Sequence, residues 1–332
     1  MSKLIYLDQN ILSDLRPSRQ SVSNNTTVSF IINLIKQREF ILVYSFVHLT
    51  EINQINIDKY KEEHIALLDE LGAIYIEPVT KKLNSNSARS IWNSFIENDH
   101  TNNKYNIDDV LLAGQIVSKK MAGLPIGASF EDLHEESQAA LSQMFSKMES
   151  VLESIDANED REKQAVLWLK QKVSDLRKQA AELRHLEIPI EQLGPEKFRD
   201  WLKSRRLNVD TLASNQVLPE IEALYMADTG KNFDWASRLI EDTIENRIIL
   251  CYHMLNWAGY YADDFTKIKK RSDRFVASQH DMMHATFGCY ANYLISGDTR
   301  FKKKASASFA YLKLPTTIMS PEEFVAIAQN AK

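Results

Sequence analysis

Cysteine is scarce in this sequence, whose 332 residues include only Cys251 and Cys289. Two cysteines cannot form the disulfide framework that stabilises small secreted domains, and free thiols are typical of a reducing compartment. Their positions also lack the close spacing of a cysteine zinc site. We therefore expect a cytoplasmic protein without a disulfide framework.

Long apolar runs are absent as well. No run approaches the roughly 18 residues of a transmembrane helix, since the apolar stretch at 248–252 is soon interrupted by His253. The first residues do not resemble a signal peptide, because the short apolar run after Lys3 ends in an acid. These features predict a soluble protein that does not bind membranes.

The sequence also lacks an excess of positive charge. Its 40 Lys and Arg residues and 45 Asp and Glu residues give a net charge of −5. Proteins that bind nucleic acid through bulk charge are usually basic, so nucleic-acid binding would here depend on local basic patches. A hydrophobic content of 44% is ordinary for a globular protein, and only nine glycines favour a helix-rich one.

Short apolar runs alternate with helical segments at both ends of the chain. A helix at 46–57 is predicted to begin after Ser45, a good N-cap residue. Such alternation is typical of α/β proteins with a parallel sheet. The predicted strands are 4–7, 40–44, 74–76, 293–296 and 312–319.

The middle of the chain has a different, wholly helical character. Helices are predicted over 130–186, with a break at 154–160, and over 195–206, 218–226 and 235–257. We therefore predict an α/β fold in which residues 1–95 and 273–332 form one discontinuous three-layer parallel-sheet domain. An all-α insertion, residues 96–272, would interrupt it and exceeds any ordinary connection in length.

Two acids follow predicted strands. Asp8 ends the first strand, and Asp298 follows the strand at 293–296 in the same way. In a parallel sheet, ligands bind beyond the carboxyl ends of the strands. The alternative interpretations are that Asp8 caps the next helix and that Asp298 is a turn residue after Gly297.

Two further acids lie on predicted helices. Glu51 is in line with Val47 and Ile55 on the helix after the second strand. Asp281 is predicted to begin a helix with small residues around the acid. The alternatives are a partly solvated glutamate and an exposed acid favoured by the helix dipole near an N-terminus.

These four carboxylates could converge at one edge of the sheet. Such a cluster repels itself unless cations are present. Oxygen ligands suit Mg²⁺ or Mn²⁺, and a pair of these ions can activate water and stabilise the leaving oxygen during phosphodiester hydrolysis. The predicted metal ligands and catalytic residues are Asp8, Glu51, Asp281 and Asp298.

In this order the acids resemble the motifs of the PIN-domain nucleases. The matching segments are YLDQN around Asp8, SFVHLTEI around Glu51, DMMHA from Asp281 and SGDTRF around Asp298. The last two acids are 17 residues apart, which fits the family. The resemblance covers roughly residues 1–80 and 275–325.

The resemblance implies a PIN-like fold and an endoribonuclease in which the four acids hold Mg²⁺ or Mn²⁺ for RNA hydrolysis. Many members of this family are bacterial toxins or defence effectors, so a toxin or antiviral role is expected. Asn10, Ser296 and His284 are predicted to support the metal ligands.

The sequence departs from the family in one respect, because 230 residues separate Glu51 from Asp281. Asp108 or Asp109 would stand at a more usual distance. Neither is followed by a strand that ends in an acid, so Asp281 is preferred. The insertion is expected to bind substrate, a regulatory or inhibitory protein, or a second copy of the chain.

Two basic clusters flank the predicted site and could contact RNA phosphates. The alternative is a solvated charged face. One cluster precedes Asp281 and the other follows Asp298: Lys267, Lys269, Lys270, Arg271 and Arg274, then Arg300, Lys302, Lys303 and Lys304.

Two other functions remain open. The chain could be a catalytically inactive PIN-like scaffold that binds or regulates other proteins. It could also be a zinc hydrolase, because His280 and His284 have the spacing of a zinc-protease helix. No third zinc ligand is evident in the sequence.

Overall fold

The computed structural model describes residues 3–20, 26–102, 116, 119–120, 127, 130–155, 160–182, 194–230, 242–263 and 273–330. By its internal contacts the chain divides into two compact units. The first combines Met1–Asn98 with Arg199–Lys332, and the second is Asp99–Phe198. The predicted limits of the insertion, 96–272, remain a prediction.

A six-stranded sheet lies in the first unit, in the order β4-β3-β2-β1-β5-β6. Every neighbouring pair is parallel except β3 and β4, so the predicted α/β class with a mostly parallel sheet is confirmed. The strands are β1 Lys3–Leu7, β2 Phe40–Ser45, β3 Ile74–Ile76, β4 Leu83–Asn84, β5 Tyr293–Ile295 and β6 Thr317–Met319.

The central strands are apolar on both faces because each face carries its own hydrophobic core. In β1, Ile5 and Leu7 belong to one core, whereas Tyr6 between them belongs to the other. Leu42 and Val43 of β2 divide in the same way. Since successive side chains of a strand point to opposite faces, a nearly continuous apolar run is what such a buried sheet requires.

Helices supply both cores of the first unit. Those before β5 in this unit are α1 Gln9–Asp14, α2 Pro17–Gln20, α3 Thr26–Lys36, α4 Phe46–Asn53, α5 Asp58–Glu70 and, crossing the unit boundary, α6 Ala88–Asn102. In the second unit, α7 Phe130–Ser154 and α8 Asp160–Glu182 come next, and α9 Gly194–Ser204 crosses the boundary. The first unit continues with α10 Val217–Thr229, α11 Ile244–Ala258, α12 Asp273–Gly288, α13 Thr299–Tyr311 and α14 Pro321–Asn330.

In the second unit, α7 and α8 pack on each other around Phe145, Leu152 and Val173. The predicted helix break at 154–160 agrees with the observed end of α7 and start of α8. No helix among the described residues is both long and apolar enough to cross a membrane.

Several predicted elements differ from the structure, among them the helix predicted over 46–57, which ends at Asn53. The helix predicted over 235–257 begins only at Ile244, because Thr243 caps it by accepting a hydrogen bond from Asn246 N; residues 231–241 lie outside the described part. The strand predicted over 312–319 shortens to β6. Lys313 has a positive φ of 55° that ends α13, and Pro315 has no N–H to donate to a strand.

A further difference concerns Asp281, for which the sequence predicts a position at the start of its helix. The helix α12 starts at Asp273, so Asp281 lies about two turns inside it. An exposed acid favoured by the dipole of a helix N-terminus is therefore not the explanation for this residue.

Candidate functional site

Two of the predicted acids meet at the carboxyl edge of the sheet. Strands β1 and β5 are parallel neighbours with Leu7 opposite Ile295, so the residues after both strands emerge side by side. Ser296 links them: its hydroxyl donates to Asp8 Oδ2 and accepts from the backbone N–H of Asp298 at 3.0 Å. The structure thus joins Asp8 and Asp298 through a residue that the sequence had also assigned to the site.

Both acids also cap helices. Asp8 Oδ1 accepts from Ile11 N at 2.8 Å, and Asp298 Oδ1 accepts from Phe301 N at 2.9 Å. The capping interpretation of Asp8 is therefore confirmed, and Asp298 is a cap as well. A carboxylate offers about four lone-pair positions, so a cap leaves room for a second ligand.

The two caps differ in their exposure to solvent. Asp8 is only 5% exposed, whereas Asp298 is exposed. Burial raises the pKa of Asp8; the hydrogen bonds from Ser296 and Ile11 lower it in part, and the neighbouring carboxylate of Glu51 raises it further. Asp8 is thus a buried carboxylate within electrostatic reach of a second one.

Asp281 is the third predicted acid of this edge and lies on α12. Burial raises its pKa well above the ordinary value, and the cation of Lys304 opposes this. The carboxylates of Asp263, Asp298 and Asp8 each add to the increase. Among the described residues none makes a hydrogen bond or ion pair with the Asp281 carboxylate. The site therefore contains an acid that its surroundings disfavour as an anion.

Glu51, on α4, binds both histidines of α12. Its Oε1 accepts from His280 Nδ1 at 3.0 Å and its Oε2 from His284 Nε2 at 2.8 Å. Burial alone would raise the pKa of Glu51, but the hydrogen bonds and charges of the two imidazoles outweigh it and hold that pKa well below its usual value. Because the histidines flank Asp281 in sequence, Glu51 fixes the helix segment that carries this acid.

A buried hydrogen-bonded chain continues from this pair into the sheet. The hydroxyl of Tyr6 lies 2.8 Å from His284 Nδ1 and 2.8 Å from Ser45 Oγ. His48 Nε2 donates to Leu7 O at 2.8 Å. Burial, together with the nearby His284, lowers the pKa of His48 to about 3, so its imidazole is neutral.

Sequence reasoning missed Tyr6, Ser45 and His48. One signal was available, because His280 and His284 are four residues apart and lie on one face of a helix. Tyr6 points to the sheet face opposite to that of Ile5 and Leu7, because successive side chains of a strand alternate. Its hydroxyl is a suitable partner for a histidine of a helix that packs on that face. Their contacts could not be assigned without the fold.

The described residues contain no group of three His, Cys, Asp or Glu side chains able to hold a metal ion. The predicted cluster of four carboxylates is thus not assembled as a closed ligand shell. Both oxygens of Glu51 face imidazoles, and both oxygens of Asp8 accept hydrogen bonds. A zinc site at His280 and His284 would need at least a third ligand. Both histidines bind Glu51 instead, and no group of three ligands occurs among the described residues.

Asp281 and Asp298 still have the donor chemistry of a Mg²⁺ or Mn²⁺ site. Asp281 is partly exposed and unpaired among the described residues, and Asp298 Oδ2 has no hydrogen bond there. Mg²⁺ usually keeps several waters and takes only one or two protein carboxylates together with substrate phosphates. These two residues fit such an open site.

The remaining predicted residues have varied surroundings. Asn10 is exposed and, within the described part, makes no hydrogen bond that links it to the acids. Arg300 and Lys303 are exposed, and Lys302 lies 3.6 Å from a carboxylate oxygen of Glu323. Outside the described residues lie Asp108, Asp109, Lys267, Lys269, Lys270, Arg271 and the side chain of Arg274.

Fold and site together define an α/β protein with acidic residues at the carboxyl edge of a mostly parallel sheet. No protein-family model matches the sequence, and the comparisons with curated proteins and with solved structures also yield no match.

The contribution of the Tyr6 hydroxyl to stability can be measured with Tyr44, a buried tyrosine of β2, as the control. We expect Tyr6→Phe to lower the free energy of unfolding by about 1–3 kcal/mol, because Ser45 and His284 lose a buried partner. Tyr44→Phe should be neutral or slightly stabilising, since the buried Tyr44 hydroxyl has no partner in the described structure. Urea denaturation of both variants measures the difference; equal losses would show that the Tyr6 hydrogen bonds contribute nothing.

Proposed function

We propose that this protein is a divalent-metal-dependent endoribonuclease that hydrolyses RNA phosphodiester bonds at the carboxyl edge of its sheet. The observation that carries the proposal is the link between Asp8 and Asp298 through Ser296 at this edge. The partly buried Asp281, whose pKa is raised by burial and by neighbouring acids, supports it. Carboxylates grouped in this way repel each other, and a bound cation relieves that repulsion.

In this proposal Asp281 and Asp298 would hold Mg²⁺ or Mn²⁺, and Asp8, the other predicted ligand at this edge, would add its negative charge beside them. When bound, such an ion would supply the activation of water for attack on the phosphodiester and would stabilise the leaving oxygen. Glu51, predicted as a fourth ligand, holds the two histidines beside Asp281 and so places that acid. Ser296 orients Asp8 relative to the start of α13.

RNA as the substrate, and a role as a toxin or antiviral effector, are parts of the proposal that rest on the resemblance to PIN-domain nucleases. The exposed side chains of Arg300 and Lys303 support it, because both follow Asp298 and are available to phosphates. An inhibitory or regulatory protein, or a homodimer formed through the helical insertion, belongs to the same proposal.

A catalytically inactive scaffold that binds other proteins is the second candidate. It is favoured by the absence, among the described residues, of a three-residue metal group and by the occupied oxygens of Glu51. On this alternative the acids serve as helix caps and as anchors for histidines.

Cleavage of end-labelled single-stranded RNA in Mg²⁺, Mn²⁺ or EDTA distinguishes the two candidates. We expect cleavage with either ion and none in EDTA. Asp298→Asn should reduce it at least about 100-fold, because a ligand charge is lost, while asparagine still caps α13. Asp58→Asn is the control, since the Asp58 side chain is 95% exposed.

Two results would count against the nuclease. One is RNA that stays intact with both ions while calorimetry detects no Mn²⁺ binding, which would favour the scaffold. The other is an Asp298→Asn variant as active as Asp58→Asn, which would place the cleavage at a different site.

A further inference from the structure

Lys304 is a buried lysine on α13, the helix that Asp298 caps. Its predicted role as a surface contact for RNA phosphates is wrong, because it is 0% exposed on α13. Its ammonium donates to Asp263 Oδ2 at 2.6 Å and to Asn256 Oδ1 at 3.2 Å, and lies 4.4 Å from the ring centroid of Tyr252. A lysine charge is buried so completely only when it is paired and hydrogen-bonded.

The partners of Lys304 connect three helices. Asp263 Oδ2 also accepts from Ser278 Oγ on α12 at 2.6 Å, and Asp263 N donates to Asn256 Oδ1 at 3.2 Å. Asn256 belongs to α11 and Lys304 to α13. The ion pair is therefore held by Ser278 of α12, the helix that carries Asp281, and by Asn256 of α11. Lys304 itself lies on α13, the helix that Asp298 caps.

The ion pair also acts electrostatically on the site. Lys304 lowers the pKa of Asp281, whereas Asp263 raises it. The ring of Tyr252 lies beside the Lys304 ammonium, and its buried hydroxyl has no partner in the described structure. Burial, followed by the charges of Asp281, Asp263 and Asp298, raises the pKa of Tyr252 well above 10. Lys304, Tyr252 and Asp281 are thus close enough to influence one another electrostatically.

We propose that Lys304 is a built-in counter-cation of the acidic site, fixed by Asp263 and Asn256, that limits how tightly the site binds a divalent ion. The inference rests on the proposed function. A positive charge held permanently beside the carboxylates repels an incoming Mg²⁺ or Mn²⁺. Removing the charge of Lys304 should therefore raise the metal affinity, and removing the charge of Asp263 should lower it.

The test is calorimetric titration of the purified full-length chain with Mn²⁺ at pH 8. Asp263→Asn leaves the lysine charge uncompensated, and we expect it to weaken Mn²⁺ binding roughly 5- to 10-fold. Lys304→Met removes the cation and should tighten binding by a similar factor. A merely structural role for the pair predicts weaker binding in both variants.

The double variant Lys304→Met/Asp263→Asn covers the case in which Lys304→Met does not fold, because it leaves no unpaired buried charge. It removes the positive charge of Lys304 and the negative charge of Asp263 together, so its affinity for Mn²⁺ should lie between those of the two single variants. A double variant as weak as Asp263→Asn would overturn the inference. Failure of the wild type to bind Mn²⁺ would instead reject the proposed metal site, and the inference with it.

Discussion

Asp281→Asn is expected to abolish RNA cleavage and, without metal, to make the protein more stable. Cleavage should fall at least about 100-fold, because the central carboxylate of the proposed metal site is lost. Stability should rise because asparagine removes a buried charge that neighbouring acids disfavour. A gain on the order of 1 kcal/mol would raise Tm by about 2 °C in a chain of this size.

The pH dependence of this effect has a defined sign. The pKa of Asp281 is raised in the folded protein, so its contribution to stability is complete below the usual value of 3.8 and is lost as the pH rises towards the raised pKa. The wild type and Asp281→Asn should therefore be equally stable at acid pH and diverge above it, with the variant more stable.

Thermal unfolding in EDTA at several pH values measures this divergence. Added Mn²⁺ should raise the Tm of the wild type but not that of Asp281→Asn, since a ligand that binds only the folded state stabilises it. Asp298→Asn is the control: it should lose cleavage without the gain in stability, because Asp298 is exposed. A variant Asp281→Asn less stable than the wild type at neutral pH would mean that the carboxylate makes stabilising contacts.

Glu51→Gln is expected to destabilise the protein by about 1.5–3 kcal/mol, because hydrogen bonds to charged groups contribute that much. The variant keeps the shape of the side chain but loses the charge that accepts from His280 and His284. Cleavage should decrease about 10- to 100-fold, because the segment of α12 that carries Asp281 is no longer fixed.

Acid should remove the difference between the wild type and Glu51→Gln. The pKa of Glu51 is lowered in the folded protein, so its stabilising contribution is present above the usual value of 4.5 and is lost as the pH falls through the lowered pKa. Urea denaturation at pH 7 and at progressively lower pH measures this loss.

Glu62→Gln provides a matched control for that experiment. Glu62 pairs with Arg89 through both carboxylate oxygens, but its side chain is 58% exposed. Surface ion pairs contribute only about 0–1 kcal/mol, so this variant should stay close to the wild type. If Glu51→Gln cost no more than Glu62→Gln, the contacts to the histidines would not hold α12 in place.

Much of the fold follows from local patterns in the sequence. The apolar runs that became β1, β2, β3 and β5 were predicted because short runs bounded by polar residues suit a sheet buried on both faces. The capping interpretation of Asp8 also needed only residues within one helical turn. The location of Asp8 and Asp298 at one sheet edge followed from the general rule for parallel strands.

The local patterns misled wherever burial depends on distant residues. The sequence predicts a surface lysine at Lys304, because this residue follows three other basic residues within five positions. The structure buries it against Asp263, 41 residues away in sequence. Nothing in its immediate neighbours signals that pairing, because the contact exists only once α11, α12 and α13 have packed.

The sequence by itself thus determined β1, β2, β3 and β5, the helix cap at Asp8 and the order of the acids, since all of these depend on neighbours within a few residues. Only the tertiary structure decided which charges meet. Glu51 binds two histidines about 230 residues further along the chain, and Lys304 became an internal cation. The physical reason is that a charge becomes costly or useful through its burial and its partners, and packing creates both.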